Sequence, residues 1–236
     1  MNSVRNTIAV LLLPLAATSM ALGHAGPRIY VDVENDTVVT KKSHHANFEP
    51  SQVFAGTLTE LPPAGTNIWR TDFPGFEAAG GHQIPDETMF GFNILDAVKV
   101  WNGSAFVDPG TEKFNISRTL DVNTGAGFVG GFNFFTQSDV GSHAHLTYSL
   151  LGNGSALGGG DNGVYALKLE LTSGGLDDSL PFYLLLSKNA SSEDATAAFN
   201  YASTLVPEPT SMALIAAGGV LALSVRRRPW ARHLTA

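Results

Sequence analysis

Among the residue types in this sequence, histidine has the spacing best suited to binding a metal ion. The best pair is His143-Ala144-His145. On a β-strand, residues i and i+2 project from the same face, so two such imidazoles could hold one divalent ion. Zinc would bind them at distances of about 2.0–2.1 Å, and carboxylates that the spacing does not identify would complete its coordination. Two solvent-facing strand histidines are the alternative interpretation. The pair therefore marks a candidate zinc site.

Three more histidines could join such a site. His44 and His45 follow a Lys-Lys-Ser run, so we expect them in a loop, where adjacent imidazoles either converge on one ion or stay exposed. His24 would become the first residue if a leader were removed after Gly23, and its amine and imidazole nitrogens would suit Cu(II). His82 follows two glycines, and we predict no metal role for it.

The sequence lacks the motifs of common enzymes. It has no Gly-x-Ser-x-Gly nucleophile elbow, no His-Glu-x-x-His zinc motif and no phosphate-binding Walker loop. The absence of cysteine excludes disulfides, cysteine-based zinc sites, iron–sulfur clusters and thiol nucleophiles. A glycosidase with a pair of carboxylates stays open as an alternative, because acidic residues are plentiful. We therefore expect a protein that is not an enzyme.

Two segments have some features of ligand-binding loops but not all of them. Asp32 to Asp36 offers oxygens at positions 1, 3 and 5 of a calcium loop, but the glycine at position 6 and the glutamate at position 12 are missing. We predict a β-turn with solvated acids there. Residues 152–163 contain six glycines but lack the lysine and the following helix of a phosphate-binding loop, so we predict a hairpin loop.

The candidate site residues must be positioned by β-strands, which are predicted by short runs of alternating apolar and polar residues between turn-forming residues. Phe90, Phe92 and Ile94 alternate, and residues 100–107 centre on Asn102-Gly103, which favours a hairpin with a type I′ turn. Residues 143–151 and 164–172 flank the glycine-rich segment, and we predict that they pair as strands. Many short strands punctuated by Gly, Pro and Asn predict a mainly β fold, an antiparallel β-sandwich or jelly roll.

The last third of the body carries the strongest local signals. Tyr165, Leu167, Leu169 and Leu171 occupy alternate positions, so they should share one face of a strand. Residues 180–186 form a continuous apolar run, which is typical of a strand buried on both faces.

One short helix is predicted near the end of the body. Ser191-x-x-Asp194 is similar to a capping box, in which the first side chain bonds a backbone N–H of the first turn. The alanine-rich residues Glu193–Ala202 that follow are compatible with a helix.

The N-terminal residues 1–23 indicate a secretory signal helix. Arg5 supplies a positive charge, Ile8 to Ala17 is apolar apart from Pro14, and three small-x-small sites between Ser19 and Ala25 suit cleavage. The spacing does not choose among the three sites. The exported body is then residues 24–205.

The C-terminal residues 206–236 contain three distinct parts in order. Pro207-Glu208-Pro209 favours an extended backbone, residues 210–225 are a predicted transmembrane helix, and Arg226-Arg227-Arg228 follows at once. Sixteen helical residues span roughly 24 Å, which is short for a hydrocarbon core of about 30 Å and would need local thinning or snorkelling arginines. The arginines predict that this end stays cytoplasmic.

This tripartite end resembles the PEP-CTERM sorting signal of exported bacterial proteins, although eight residues after the arginines make the tail longer than is usual. The resemblance covers about 25 residues and implies an exosortase-type processing enzyme as a partner. It also implies a transient membrane anchor and delivery to the cell surface or extracellular matrix.

A second, looser resemblance concerns the body. Residues 29–36, 72–76, 143–145 and 163–167 are similar to segments of zinc-repressed (Zur-regulated) PEP-CTERM surface proteins. This resemblance implies surface capture of zinc or a related ion, although the matched motifs are short and most of the body lies outside them.

Charge narrows the choice of partners. The whole chain is at −7, but five of its 14 basic residues and one of its 21 acidic residues lie in the two end segments, so the body has nine basic and 20 acidic residues and carries about −11. That balance argues against nucleic acid as a partner.

We expect a surface protein that binds zinc through His143, His145, His44, His45 and His24. The alternatives are a structural or adhesive matrix protein, or a carbohydrate-binding jelly roll that contacts extracellular polysaccharide through Trp69 or Trp101.

Overall fold

A computed structural model of the chain describes residues 27–42, 50–78, 84, 87–136, 143–152 and 157–206. The predicted signal segment 1–23, its cleavage sites and the predicted transmembrane helix 210–225 lie outside these residues. The division into signal, body and sorting segment therefore stays a prediction. Among the described residues, no helix combines the length and the apolar character needed to cross a membrane.

The described chain is mainly β, with 16 strands and one helix near its C-terminal end. In chain order the strands are β1 (Arg28–Glu34), β2 (Thr37–Lys41), β3 (Val53–Thr57), β4 (Thr59–Glu60), β5 (Trp69–Thr71), β6 (Gly75–Ala78), β7 (Met89–Ile94), β8 (Lys99–Trp101), β9 (Phe106–Val107), β10 (Lys113–Ser117), β11 (Asp121–Asn123), β12 (Val129–Thr136), β13 (His143–Ala144), β14 (Thr147–Leu151), β15 (Gly163–Ser173) and β16 (Phe182–Lys188). The helix α1 spans Ser192–Leu205.

These strands form three sheets. The four-stranded sheet has the order β13-β6-β1-β2, and the five-stranded sheet has the order β11-β10-β14-β5-β4. The largest sheet has the order β12-β7-β15-β16-β3, and the hairpin β8–β9 joins it along β15. The expected purely antiparallel arrangement is wrong at two places, because β1 pairs with β6, and β16 with β3, in parallel. Both parallel pairs join strands that are far apart in the sequence.

One buried cluster contains side chains from all three sheets. Ile29 of the four-stranded sheet, Phe114 of the five-stranded sheet and Leu167 of the largest sheet each belong to it and are fully buried. The predicted shared face of β15 is confirmed, since Tyr165, Leu167, Leu169 and Leu171 all lie in this cluster. Burial of this apolar surface, at about 25 cal/mol per Å², is the main term that stabilises the fold.

The largest sheet is covered on its other face by α1. Val164, Ala166 and Leu185 point away from the main cluster and pack against Ala198 and Ala202 of the helix. Strands β15 and β16 are therefore buried on both faces. This confirms the interpretation of the apolar run for residues 182–186, whereas Leu180 precedes β16 and is exposed. Small residues four positions apart on α1 let the helix lie close to the sheet.

The predicted helix start is confirmed. Ser191 is the N-cap residue, and its hydroxyl accepts a hydrogen bond of 3.0 Å from the N–H of Asp194. The same hydroxyl lies 2.9 Å from Oδ2 of Asp194, to which it donates. The helix runs to Leu205, three residues beyond the predicted end.

The predicted hairpin occurs at the predicted position, but its turn type differs from the prediction. The hairpin β8–β9 is confirmed, but its loop has four residues, and Asn102 accepts N–H bonds from Ser104 and Ala105 through its side chain. A type I′ turn needs positive φ at both central residues. That geometry occurs instead at Asn35 and Asp36, with φ of 51° and 61°, between β1 and β2.

The predicted pairing of residues 143–151 with 164–172 is wrong. Strand β14 pairs with β10 and β5, whereas β15 pairs with β16, β7 and β8 in another sheet. The glycine-rich segment therefore carries the chain from one sheet to another instead of closing a hairpin. Two adjacent strand-like runs do not by themselves reveal which partners will complete their backbone hydrogen bonds.

Replacing Ser191 by alanine should lower the free energy of unfolding by about 1 kcal/mol, because the N–H of Asp194 loses its acceptor. Urea unfolding of the full chain measures this change. Ser192→Ala is the matched control, since the Ser192 side chain has no hydrogen bond within the described residues. Equal effects of the two substitutions would contradict the capping role.

Candidate functional site

The structure brings the side chains of His143 and His145 together. Their ring centroids are 5.8 Å apart with an interplanar angle of 85°. His143 is exposed, Ala144 is buried and His145 is half-buried, so the expected alternation holds. The prediction that both histidines lie within one strand is wrong for His145, because β13 ends at Ala144.

The imidazole of His145 is held in one orientation. Its Nδ1 lies 2.9 Å from the backbone carbonyl oxygen of Asp72, and its ring makes an edge-to-face contact of 5.3 Å with Phe73. A carbonyl oxygen only accepts hydrogen bonds, so Nδ1 must carry the proton and Nε2 is the basic nitrogen. A β-carbon at Gly75 would lie 2.7 Å from Cε1 of His145, so glycine is needed for this ring to fit.

Glu77 is the carboxylate nearest to His143 by strand register. It is the cross-strand partner of His143 in the pair β6–β13, and it forms a largely buried ion pair with Arg28. Among the described residues, no group of three histidine, aspartate or glutamate side chains is placed to hold a metal ion. The described part of the chain thus offers two imidazoles. His24, His44, His45 and His82 lie outside the described residues.

The acids around the first turn are not all solvated, contrary to the prediction. Asp32 is fully buried, and its Oδ2 lies 2.6 Å from Nζ of Lys41, which also contacts Glu34 at 2.5 Å. Burial lowers the pKa of Lys41, but the hydrogen bonds to the two carboxylates and their negative charges together outweigh burial, so the pKa is raised. These carboxylates are neutralised by a lysine, and the segment has no calcium-loop geometry.

A buried lysine that the sequence did not single out lies at the end of β16. Nζ of Lys188 donates to the carbonyl oxygens of Gly159 (2.8 Å) and Gly160, and it lies 5.0 Å from the ring centroid of Trp69. Burial lowers its pKa, although nearby acids oppose that shift. Gly159 and Gly160 both have positive φ, a conformation that glycine adopts readily, and their carbonyls accept from the amine.

Tyr165 and Glu112 hold the same glycine-rich segment from the other side. The hydroxyl of Tyr165 lies 3.0 Å from Oε1 of Glu112 and 2.7 Å from the carbonyl oxygen of Asp161. The N–H of Asp161 also donates to Glu112. A lysine that ends an apolar run opposite consecutive glycines is the only signal of this cluster in the sequence. Because its polar groups bond to one another, we assign the cluster a structural role.

Both candidate carbohydrate-stacking tryptophans are used in packing. Trp69 is half-buried under Lys188, and its Nε1 donates to Asn67 at 3.0 Å. Trp101 is also half-buried, with Phe106 and Tyr201 at centroid distances of 5.5 and 5.4 Å. Neither indole is an exposed platform, so the idea that they stack on sugars loses its basis.

The two fully buried tyrosines of the core make a matched pair for testing the cluster. Tyr165→Phe should lower the free energy of unfolding by about 1–3 kcal/mol, because Glu112 loses a buried donor. Tyr148→Phe should raise it by about 1 kcal/mol, because the Tyr148 hydroxyl has no hydrogen-bond partner within the described residues. Urea unfolding at neutral pH measures both values, and the opposite ranking would contradict the assigned contacts.

The same two tyrosines should make the stability of the fold depend on alkaline pH. Burial raises the pKa of Tyr148 and of Tyr165 above the usual value of 10.0, and the charge of Glu112 adds to the shift at Tyr165. Because tyrosines in the unfolded chain ionise near pH 10, the unfolded state binds fewer protons above that pH, and stability should fall as pH rises. The fall should be smaller in Tyr148→Phe than in the parent chain.

Comparison with known proteins bears on the C-terminal end. No curated protein matches the chain. A family model described as the PEP-CTERM protein-sorting motif matches residues 205–228, which include Pro207, Glu208, Pro209 and the cluster Arg226–Arg228. The motif implies processing by an exosortase. The chain therefore carries a PEP-CTERM sorting signal at its C-terminal end, and this signal indicates an exported protein that is anchored in the membrane and reaches the cell surface after processing.

Proposed function

We propose that the exported body binds a divalent metal ion, zinc, through His143 and His145 at the cell surface. The observation that carries this proposal is the hydrogen bond from Nδ1 of His145 to the carbonyl of Asp72, beside a second imidazole. Histidines that bind metals usually donate their other ring N–H to a carbonyl or carboxylate, which sets the tautomer and the ring orientation.

The distance between the two rings suits a shared ion after a small adjustment. Two imidazoles on one tetrahedral zinc, at Zn–N distances of about 2.0–2.1 Å, have ring centroids roughly 5 Å apart. The observed 5.8 Å differs by less than a rotation of the exposed His143 side chain can supply. His44, His45 and His24 stay predicted as further ligands, and water would fill the positions that they leave.

The charge of the body supports a cationic ligand. About 20 acids and nine bases give the body a negative field that raises the local concentration of cations. The role is one of binding, since no catalytic motif was found in the sequence, and we propose no enzyme activity. We also propose that the three sheets together form the two layers of a β-sandwich, which is supported by the main core cluster, to which all three sheets contribute.

Zinc titration of the full chain in mild detergent tests the site. We expect one equivalent to bind, and His143→Ala/His145→Ala should weaken its binding at least tenfold, because both nitrogen ligands are lost. His82→Ala is the control and should leave the affinity unchanged. Parent affinity in the double variant would disprove the proposal.

A further inference from the structure

A cavity of about 550 Å³ lies where the chain passes from the largest sheet to the five-stranded sheet. The passage is Leu58, which separates Thr57 at the end of β3 from Thr59 at the start of β4. Leu58 is buried in the main core and its N–H bonds the carbonyl of Ser187 at 2.8 Å. Thr57 and Thr59, on either side, are exposed and line the cavity.

Strand register places two pairs of polar side chains on the cavity wall. Thr57 and Ser187 are partners in the parallel pair β3–β16. Thr59 and Arg70 are partners in the antiparallel pair β4–β5. Partners in a register project from the same face, so the wall presents hydroxyls from one sheet beside a guanidinium from the other.

The bottom of the cavity is formed by a close approach of two backbones. A β-carbon at Gly56 would lie 2.3 Å from the carbonyl oxygen of Phe73, so no other residue fits without a shift of the backbone. The apolar part of the lining includes Gly56, Phe73 and Leu61. A site with an apolar base and a few placed polar groups is the usual form of a small-molecule site, and about 300–1,000 Å³ is its usual size.

Arg70 is the residue of this lining whose charged group is available to bind a ligand. Its side chain is exposed, and its guanidinium makes no hydrogen bond, ion pair or ring contact within the described residues. The neighbouring carboxylate, Asp72, instead accepts a hydrogen bond of 2.6 Å from the hydroxyl of Thr147. The body has about twice as many acids as bases, yet within its described residues this arginine has no carboxylate partner.

We infer that the cavity binds a sugar acid, with the carboxylate of the ligand on Arg70 and its hydroxyls on Thr57, Ser187 and Asp72. Guanidinium binds carboxylate through two parallel hydrogen bonds, which is the strongest pairing available in this lining. A neutral sugar would leave the guanidinium unused, and a simple carboxylate would leave the hydroxyls unused. The volume suits one or two sugar units.

This site goes beyond the proposed metal function and uses other side chains. The two sites are neighbours, because Asp72 and Phe73 line the cavity and also contact His145. Sugar-acid binding should nevertheless persist in the presence of a chelator and in His143→Ala/His145→Ala. The two proposals can therefore fail independently.

Calorimetric titration of the full chain in mild detergent, with chelator present, tests the inference. Glucuronate should bind at least tenfold more tightly than glucose or acetate. Arg70→Gln should lose at least tenfold of the glucuronate affinity, while Arg118→Gln, which alters another exposed arginine, should retain it. An oligogalacturonate as a second ligand shows whether chain-internal units bind as well as free sugar acids, and binding in either arm supports the site.

Several outcomes would overturn the inference. They are equal affinity for glucose, no binding of any sugar acid, and an Arg70→Gln variant that binds like the parent chain. The variant Ser187→Ala tests whether the hydroxyls of the ligand are recognised as well as its charge. It should weaken glucuronate binding while leaving acetate binding unchanged, and an equal effect on both ligands would contradict the assigned hydroxyl contact.

Discussion

Burial of β15 and β16 on both faces is the constraint on which the rest of the fold depends. Leu167 and Leu184 face the core shared by three sheets, while Ala166 and Leu185 face the helix. The sequence has no cysteine, so no disulfide assists this packing. Every other described strand is placed by pairing within the three sheets or by packing against this doubly covered pair, and α1 packs on the pair through its alanines.

The segment that follows β5 connects this core to both proposed sites. Asp72 and Phe73 fix the ring of His145, and they also line the cavity with Arg70. The segment can do both because glycines at its two contact points, Gly56 and Gly75, allow backbone and ring to approach closely. Both proposed sites thus lie beside one crossing between sheets, next to strands β5 and β6.

Local signals in the sequence predicted the elements well, because their causes are local. The cap at Ser191, the alternating face of β15 and the doubly buried run of β16 follow from hydrogen bonding and periodicity within a few residues. Pairing failed where it depended on distant partners. Strand β14 finds β10 and β5 instead of its neighbour β15, since sheet register is chosen by burial across the whole fold.

The chemistry divides in the same way. The sequence alone determined the sorting motif and the cellular destination that it indicates, because an apolar stretch between a proline pair and arginines is recognised as a linear segment. It also named His143 and His145 by spacing. Only the tertiary structure decided that Asp72 orients His145, that Lys41 neutralises the buried Asp32, and that Arg70 shares a cavity with Ser187. Each of those contacts joins residues separated in the chain, and packing, not spacing, sets their distance.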